Sequence, residues 1–66
     1  MDMWTAAPRR ALVVDDERAL ARLVAGYLER EGFEVDVAFD GPGAVALARG
    51  RDPEVVVLDL GLPGLD

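Results

Sequence analysis

The 66-residue chain contains no cysteine, no lysine and no serine. Without cysteine, neither disulfides nor thiolate metal ligands can staple so small a core, and the absence fits a reducing cytoplasm. Without lysine, all seven basic residues are arginine. They face thirteen acids, for a formal charge of −6. Phosphate backbones need clustered cations, so the balance argues against nucleic-acid binding by this segment. Long apolar runs are also missing, and nothing approaches the roughly 20 residues that cross a bilayer. The opening stretch, Met1 to Pro8, has an acid where a signal peptide wants a base, and it has no apolar centre. The chain reads as soluble and cytoplasmic, with no membrane partner.

What is present is globular in character: 52% hydrophobic and 30% charged residues. The length allows one thin domain, which hides only about 60% of its unfolded surface. Residues 1–10 read as a flexible leader, with Pro8 and Arg9-Arg10 as a polar approach. Ala11 to Val14 is an unbroken apolar run, as in a strand covered on both faces. Leu20, Leu23, Val24, Tyr27 and Leu28 then recur at helical spacing and predict one apolar stripe. Asp15 or Asp16 can cap that helix, Glu17 suits its positive end, and Gly32 ends it. From Phe33 to Ala38 apolar and acidic residues alternate, which predicts an edge strand with one wetter face. Asp40-Gly41-Pro42-Gly43 is a turn feeding a shorter helix. Its apolar side is Ala44, Val45, Leu47 and Ala48, and Gly50 closes it. Glu54 to Leu58 is the third strand, and Gly61 to Asp66 is a turn-rich loop.

Strand, helix, strand, helix, strand predicts an α/β fold of three layers with a parallel sheet. The alternating strand belongs at an edge, so the expected order is 2-1-3. That order sets the first and third strands side by side at a switch point, where open α/β sheets place ligands. Both strands run into carboxylates: Asp15-Asp16-Glu17 after the first, Asp59 after the third. Taken singly, Asp15-Asp16 can be helix-start chemistry, Asp59 a turn former and Asp66 a solvated acid. Taken together at equivalent strand ends they repel one another, and a divalent cation with hard oxygen ligands relieves the repulsion. A dinucleotide site would want glycines after the first strand, where this chain has three acids.

Leu12-Val13-Val14-Asp15-Asp16-Glu17, Gly32-Phe33-Glu34-Val35, Asp40-Gly41, Asp52-Pro53-Glu54-Val55-Val56-Val57-Leu58-Asp59-Leu60 and Leu62-Pro63-Gly64 together resemble response-regulator receiver domains, in register from Ala11 to Asp66. The resemblance implies the truncated form of a flavodoxin-like fold. It also implies a function in two-component phosphorelay signalling. Asp59 corresponds to the phosphoacceptor, which takes a phosphoryl group from a sensor histidine kinase. Asp16 corresponds to a direct Mg²⁺ ligand, Asp15 to one acting directly or through water, Asp59 itself to a ligand of the same ion, and the Gly61 backbone carbonyl to a further metal oxygen. Glu17 reads as helix-start chemistry rather than a ligand.

Receiver domains have five strand-helix units, and residues 11–66 match the first part, without the last two units. The family places a Ser or Thr after its fourth strand and a Lys after its fifth, both on the phosphoryl group. Here the only threonine is Thr5, in the leader. The expected parent is a transcriptional regulator whose effector binds DNA. The segment itself is expected to be a phosphoryl acceptor, not an enzyme. Two other readings compete. One is an inactive half-domain that self-associates through the exposed apolar third strand. The other is an aspartate-nucleophile phosphatase, which wants a second aspartate where this chain has Gly61.

Overall fold

A computed structural model describes residues 9–58. In chain order they form β1 (Arg9–Val14), α1 (Arg18–Arg30), β2 (Phe33–Ala38), α2 (Gly41–Arg51) and β3 (Val55–Leu58). The three strands are parallel and ordered β2-β1-β3, as the alternation of β2 and the unbroken run of β1 require. β1 starts two residues earlier than its apolar run suggests. Arg9 and Arg10 are strand residues paired with Phe33 and Glu34, so the expected leader overlaps the sheet at its last two positions. The rest of the leader lies outside the described residues.

β1 is the spine. Leu12, Val13 and Val14 are at most 2% exposed, because successive side chains enter opposite faces and both faces are covered. Leu12 and Val14 pack with Ala38, Ala44 and Leu47 on the α2 face. Val13 packs on the α1 face with Ala21, Val24, Ala25, Leu28, Val35, Val37 and Phe39. The architecture is therefore helix, sheet, helix, three layers deep. Five of the eight buried apolar residues are alanine, at positions 11, 21, 25, 38 and 44. The core is accordingly narrow.

Two local expectations change. The predicted stripe of α1 is split: the sheet takes Ala21, Val24, Ala25 and Leu28, while Leu20, Leu23 and Tyr27 are exposed. At about 100° per residue, Leu23 lies about 150° around the helix from the centre of the buried line. Alanine at 21 and 25 carries the contact because it allows close approach, which a pattern that weights large residues overlooks. Gly50 does not close α2 either. The helix runs on to Arg51, and Asp52 caps it in the left-handed conformation at φ 50°, with Pro53 blocking continuation. Gly32, at φ 97°, does follow the C-cap of α1 as expected.

The sheet's two edges differ. β2 lies under both helices, with α1 packed on its apolar face. β3 is one strand beyond both helices, and Val56, Val57 and Leu58 are exposed, Val56 by 50%.

Candidate functional site

The sheet ladder continues past Val14, where the Asp15 N–H donates to the Ala38 carbonyl at 3.1 Å. That bond ties Asp15 to the finishing end of β2 and leaves the residue 8% exposed. Its carboxylate Oδ1 accepts from the Glu17 N–H at 2.9 Å. This local turn fixes the side chain and uses one oxygen. Asp16 is exposed. Neither aspartate caps α1: the N-cap is Glu17, without a side-chain cap bond. The acids are thereby released from the structural role that a capping reading gives them.

On the other side of β1, Val14 pairs with Leu58 in parallel register. The first and third strands therefore finish level with each other, which is the adjacency the site requires. Asp59 and Gly61 lie outside the described residues, as does Asp66. The described part of the site is the pair Asp15 and Asp16, with no cation within 4.0 Å of either carboxylate among the described residues. Among those residues no group of three or more metal-binding side chains occurs, and a two-carboxylate start is what Asp15 and Asp16 supply.

Residues 11–66 match the family model for the response regulator receiver domain. The chain belongs to that family. Receiver domains serve two-component signalling, generally bind Mg²⁺ at the phosphorylation site and generally interact with histidine kinases. Among the described residues of this receiver segment no helix is long and apolar enough to cross a membrane.

The α2 side of the same end is built by Asp40. Its Oδ1 accepts from the Gly43 N–H at 2.7 Å, and Pro42 sits in the first turn. Asp40 is thus committed to capping. A Cβ at position 43 would meet Asp40 Oδ1 at 2.9 Å, so a larger residue there displaces the capping carboxylate.

Sequence reasoning missed one feature of this end. The Arg18 guanidinium lies 4.0 Å above the Phe39 ring centroid and that of Arg22 lies 5.9 Å away. The signal was available: two arginines at i and i+4 beginning at the first helical residue, and an aromatic directly after the second strand.

Proposed function

We propose that this receiver segment accepts a phosphoryl group on Asp59 from a sensor histidine kinase, with Asp15, Asp16, Asp59 itself and the Gly61 backbone carbonyl holding Mg²⁺. The observation that carries the reading is the parallel β1–β3 pairing, with Val14 level with Leu58. It makes residues 44 positions apart in the chain neighbours in one sheet. A hard-oxygen donor set of carboxylates and one carbonyl suits Mg²⁺, which keeps several waters and needs few protein ligands.

In the proposed step an Asp59 carboxylate oxygen attacks the phosphorus of a phosphohistidine. A P–O bond forms, the P–N bond breaks, and the imidazole nitrogen leaves with the electron pair and takes up a proton. The product is an acyl phosphate. Bound Mg²⁺ supplies positive charge that offsets the phosphoryl oxygens. Asp15, held by the Glu17 N–H through one oxygen, keeps the other for the metal or its water. Asp16, which is exposed, would hold the metal as a direct ligand. The segment is an acceptor rather than an enzyme, it acts in the cytoplasm, and its parent regulates transcription through a separate effector.

Mg²⁺ titration followed by amide NMR tests the shared site: signals of Asp16, Asp59 and Gly61 should move together. Labelling by acetyl phosphate should vanish in Asp59→Ala and weaken in Asp16→Ala. Full labelling of Asp59→Ala overturns the assignment.

Among the described residues no strand pairs with the outer edge of β3, which favours a second reading, in which the segment pairs with another copy through this strand. Val55 to Leu58 has no proline, glycine or charge to blunt it. A sedimentation series across concentration separates a monomer from a dimer.

A further inference from the structure

We infer that Phe39, Arg18 and Arg22 form a cationic lip that receives the phosphoryl group of an incoming donor and weakens binding of the metal beside it. The inference rests on the phosphoacceptor reading and adds a specificity element to it.

The placement of the seven arginines carries the argument. Arg9 pairs with Glu54, Arg10 with Glu34, and Arg51 with Glu34 and Asp36. Arg30 and Arg49 occupy the last turns of α1 and α2, where the helix dipole favours a cation. These five gather at the end of the sheet where the strands begin. Arg18 and Arg22 alone lie in the first half of α1, toward the end where the strands finish. Among the described residues neither has a carboxylate within 4.0 Å.

Arg18 is the first residue of α1, and that first turn contains no acid. A cation there opposes the helix dipole, an arrangement that an arriving anion reverses. Phe39 holds the pair in place. Its ring belongs to the α1-face core cluster, and the residue before it, Ala38, accepts the Asp15 N–H. The guanidinium groups are therefore anchored to the strand end that presents Asp15. Stacking at 4.0 Å occupies the face of the Arg18 guanidinium and leaves its N–H edge free, while Arg22, at 5.9 Å, stands at the outer range of the same ring. Such an edge matches phosphoryl oxygens in a two-pronged geometry. On a chain of charge −6, two such groups toward the end of the sheet that presents Asp15 offset the repulsion an anionic donor meets.

Opposite responses to an anion and a cation test this. The full chain and its Arg18→Gln/Arg22→Gln variant are titrated with inorganic phosphate and, separately, with Mg²⁺. The readouts are the arginine Nε–H signals, the Phe39 ring and the backbone amides. At about 10 mM salt, where charges act over about 30 Å before they are screened, phosphate should bind about three- to tenfold more weakly to the variant. Mg²⁺ should bind more tightly by a similar factor. Both differences should fade near 1 M salt, where the screening length is about 3 Å. Arg18→Lys/Arg22→Lys keeps the charge and the fold. It should retain the wild-type Mg²⁺ affinity and lose most of the phosphate preference, since an ammonium lacks the fork. Labelling by acetyl phosphate and by a phosphorylated kinase should slow together in the Gln variant. Affinities for phosphate and Mg²⁺ that move in the same direction, or not at all, overturn the lip and leave Phe39 a packing residue. Slowing with the kinase alone overturns phosphoryl recognition. Failure of the acceptor reading registers separately, as labelling that survives Asp59→Ala.

Discussion

The two ends of this small parallel sheet treat charge in opposite ways. Where the strands begin, Glu34, Asp36 and Glu54 each face a guanidinium, and Arg51 ties α2 to β2 through two carboxylates at 3.1 and 3.3 Å. Arg10 also donates to the Arg51 carbonyl, at 3.2 Å, so the same cluster ties the end of α2 to β1. Where the strands finish, Asp15 and Asp40 accept only backbone N–H groups, and Arg18 and Arg22 rest on an aromatic ring. Acids and bases stand at this end without an ion pair among the described residues. One end spends its charges on holding the fold. At the other, Asp40 caps α2, Asp15 commits only one carboxylate oxygen, and neither Arg18 nor Arg22 has a carboxylate within 4.0 Å among the described residues.

The comparison breaks most visibly at Asp15. Asp15→Asn keeps an oxygen for the Glu17 N–H and removes one charge from a pair of adjacent acids. Without metal the variant should be more stable than wild type by about 0.5 kcal/mol, the size of a repulsion between neighbouring like charges. With Mg²⁺ at about 100 times the dissociation constant, wild type should gain about 2.7 kcal/mol and the variant far less. Urea unfolding with and without Mg²⁺ measures both. A variant destabilised in the absence of metal would mean that the finishing end is structural after all.

The beginning end should respond in the reverse sense. Arg51→Ala removes two partly exposed bridges and leaves Asp36, which is half-buried, without its cation. Its cost should be about 1 kcal/mol in dilute buffer and less near 1 M salt, because exposed pairs are screened. A loss that ignores salt would assign Arg51's role to packing of its side-chain stem.

A subtler asymmetry lies within the finishing end itself, where Asp40 is structural and its neighbours are not. Asp40→Ala should cost about 1 kcal/mol as a lost N-cap, with Asp40→Ser recovering most of it. Gly43→Ala should cost a similar amount, because the new Cβ meets the same carboxylate oxygen at 2.9 Å. The double variant should cost little more than either single one, since both act on one hydrogen bond. Additive losses would show that Gly43 serves something other than the cap.

Much of the molecule was legible from its residues because the relevant signals are short-range. The unbroken run Leu12-Val13-Val14 predicts a strand buried on both faces, and the alternation of Phe33 to Ala38 predicts the edge. Together these two patterns determine the order β2-β1-β3. The face of α1 was less legible, because the contact is made by Ala21 and Ala25 while Leu23 and Tyr27 face out. Small residues permit close approach without registering as hydrophobic weight. The caps were misassigned for a related reason. Asp15 and Asp16 have the right chemistry, but Asp15 spends its oxygen on a tighter turn one step earlier. The Arg18–Phe39 stack joins residues on separate elements, which no periodicity within a single element can reveal.

The smallest stability effect is expected at β3, the strand that joins the two ends without belonging to either contrast. Val56 is half exposed and has no helix over it among the described residues, so Val56→Lys should change monomer stability by no more than about 0.5 kcal/mol. Its informative effect lies elsewhere. A lysine on an open strand disfavours edge-to-edge pairing, so any concentration-dependent dimer of the wild type should dissociate in the variant. If the charge contrast between the ends belongs to the single chain, the responses of Asp15→Asn and Arg51→Ala should be the same with or without Val56→Lys. If either response changes sign in that background, the contrast is a property of the paired assembly.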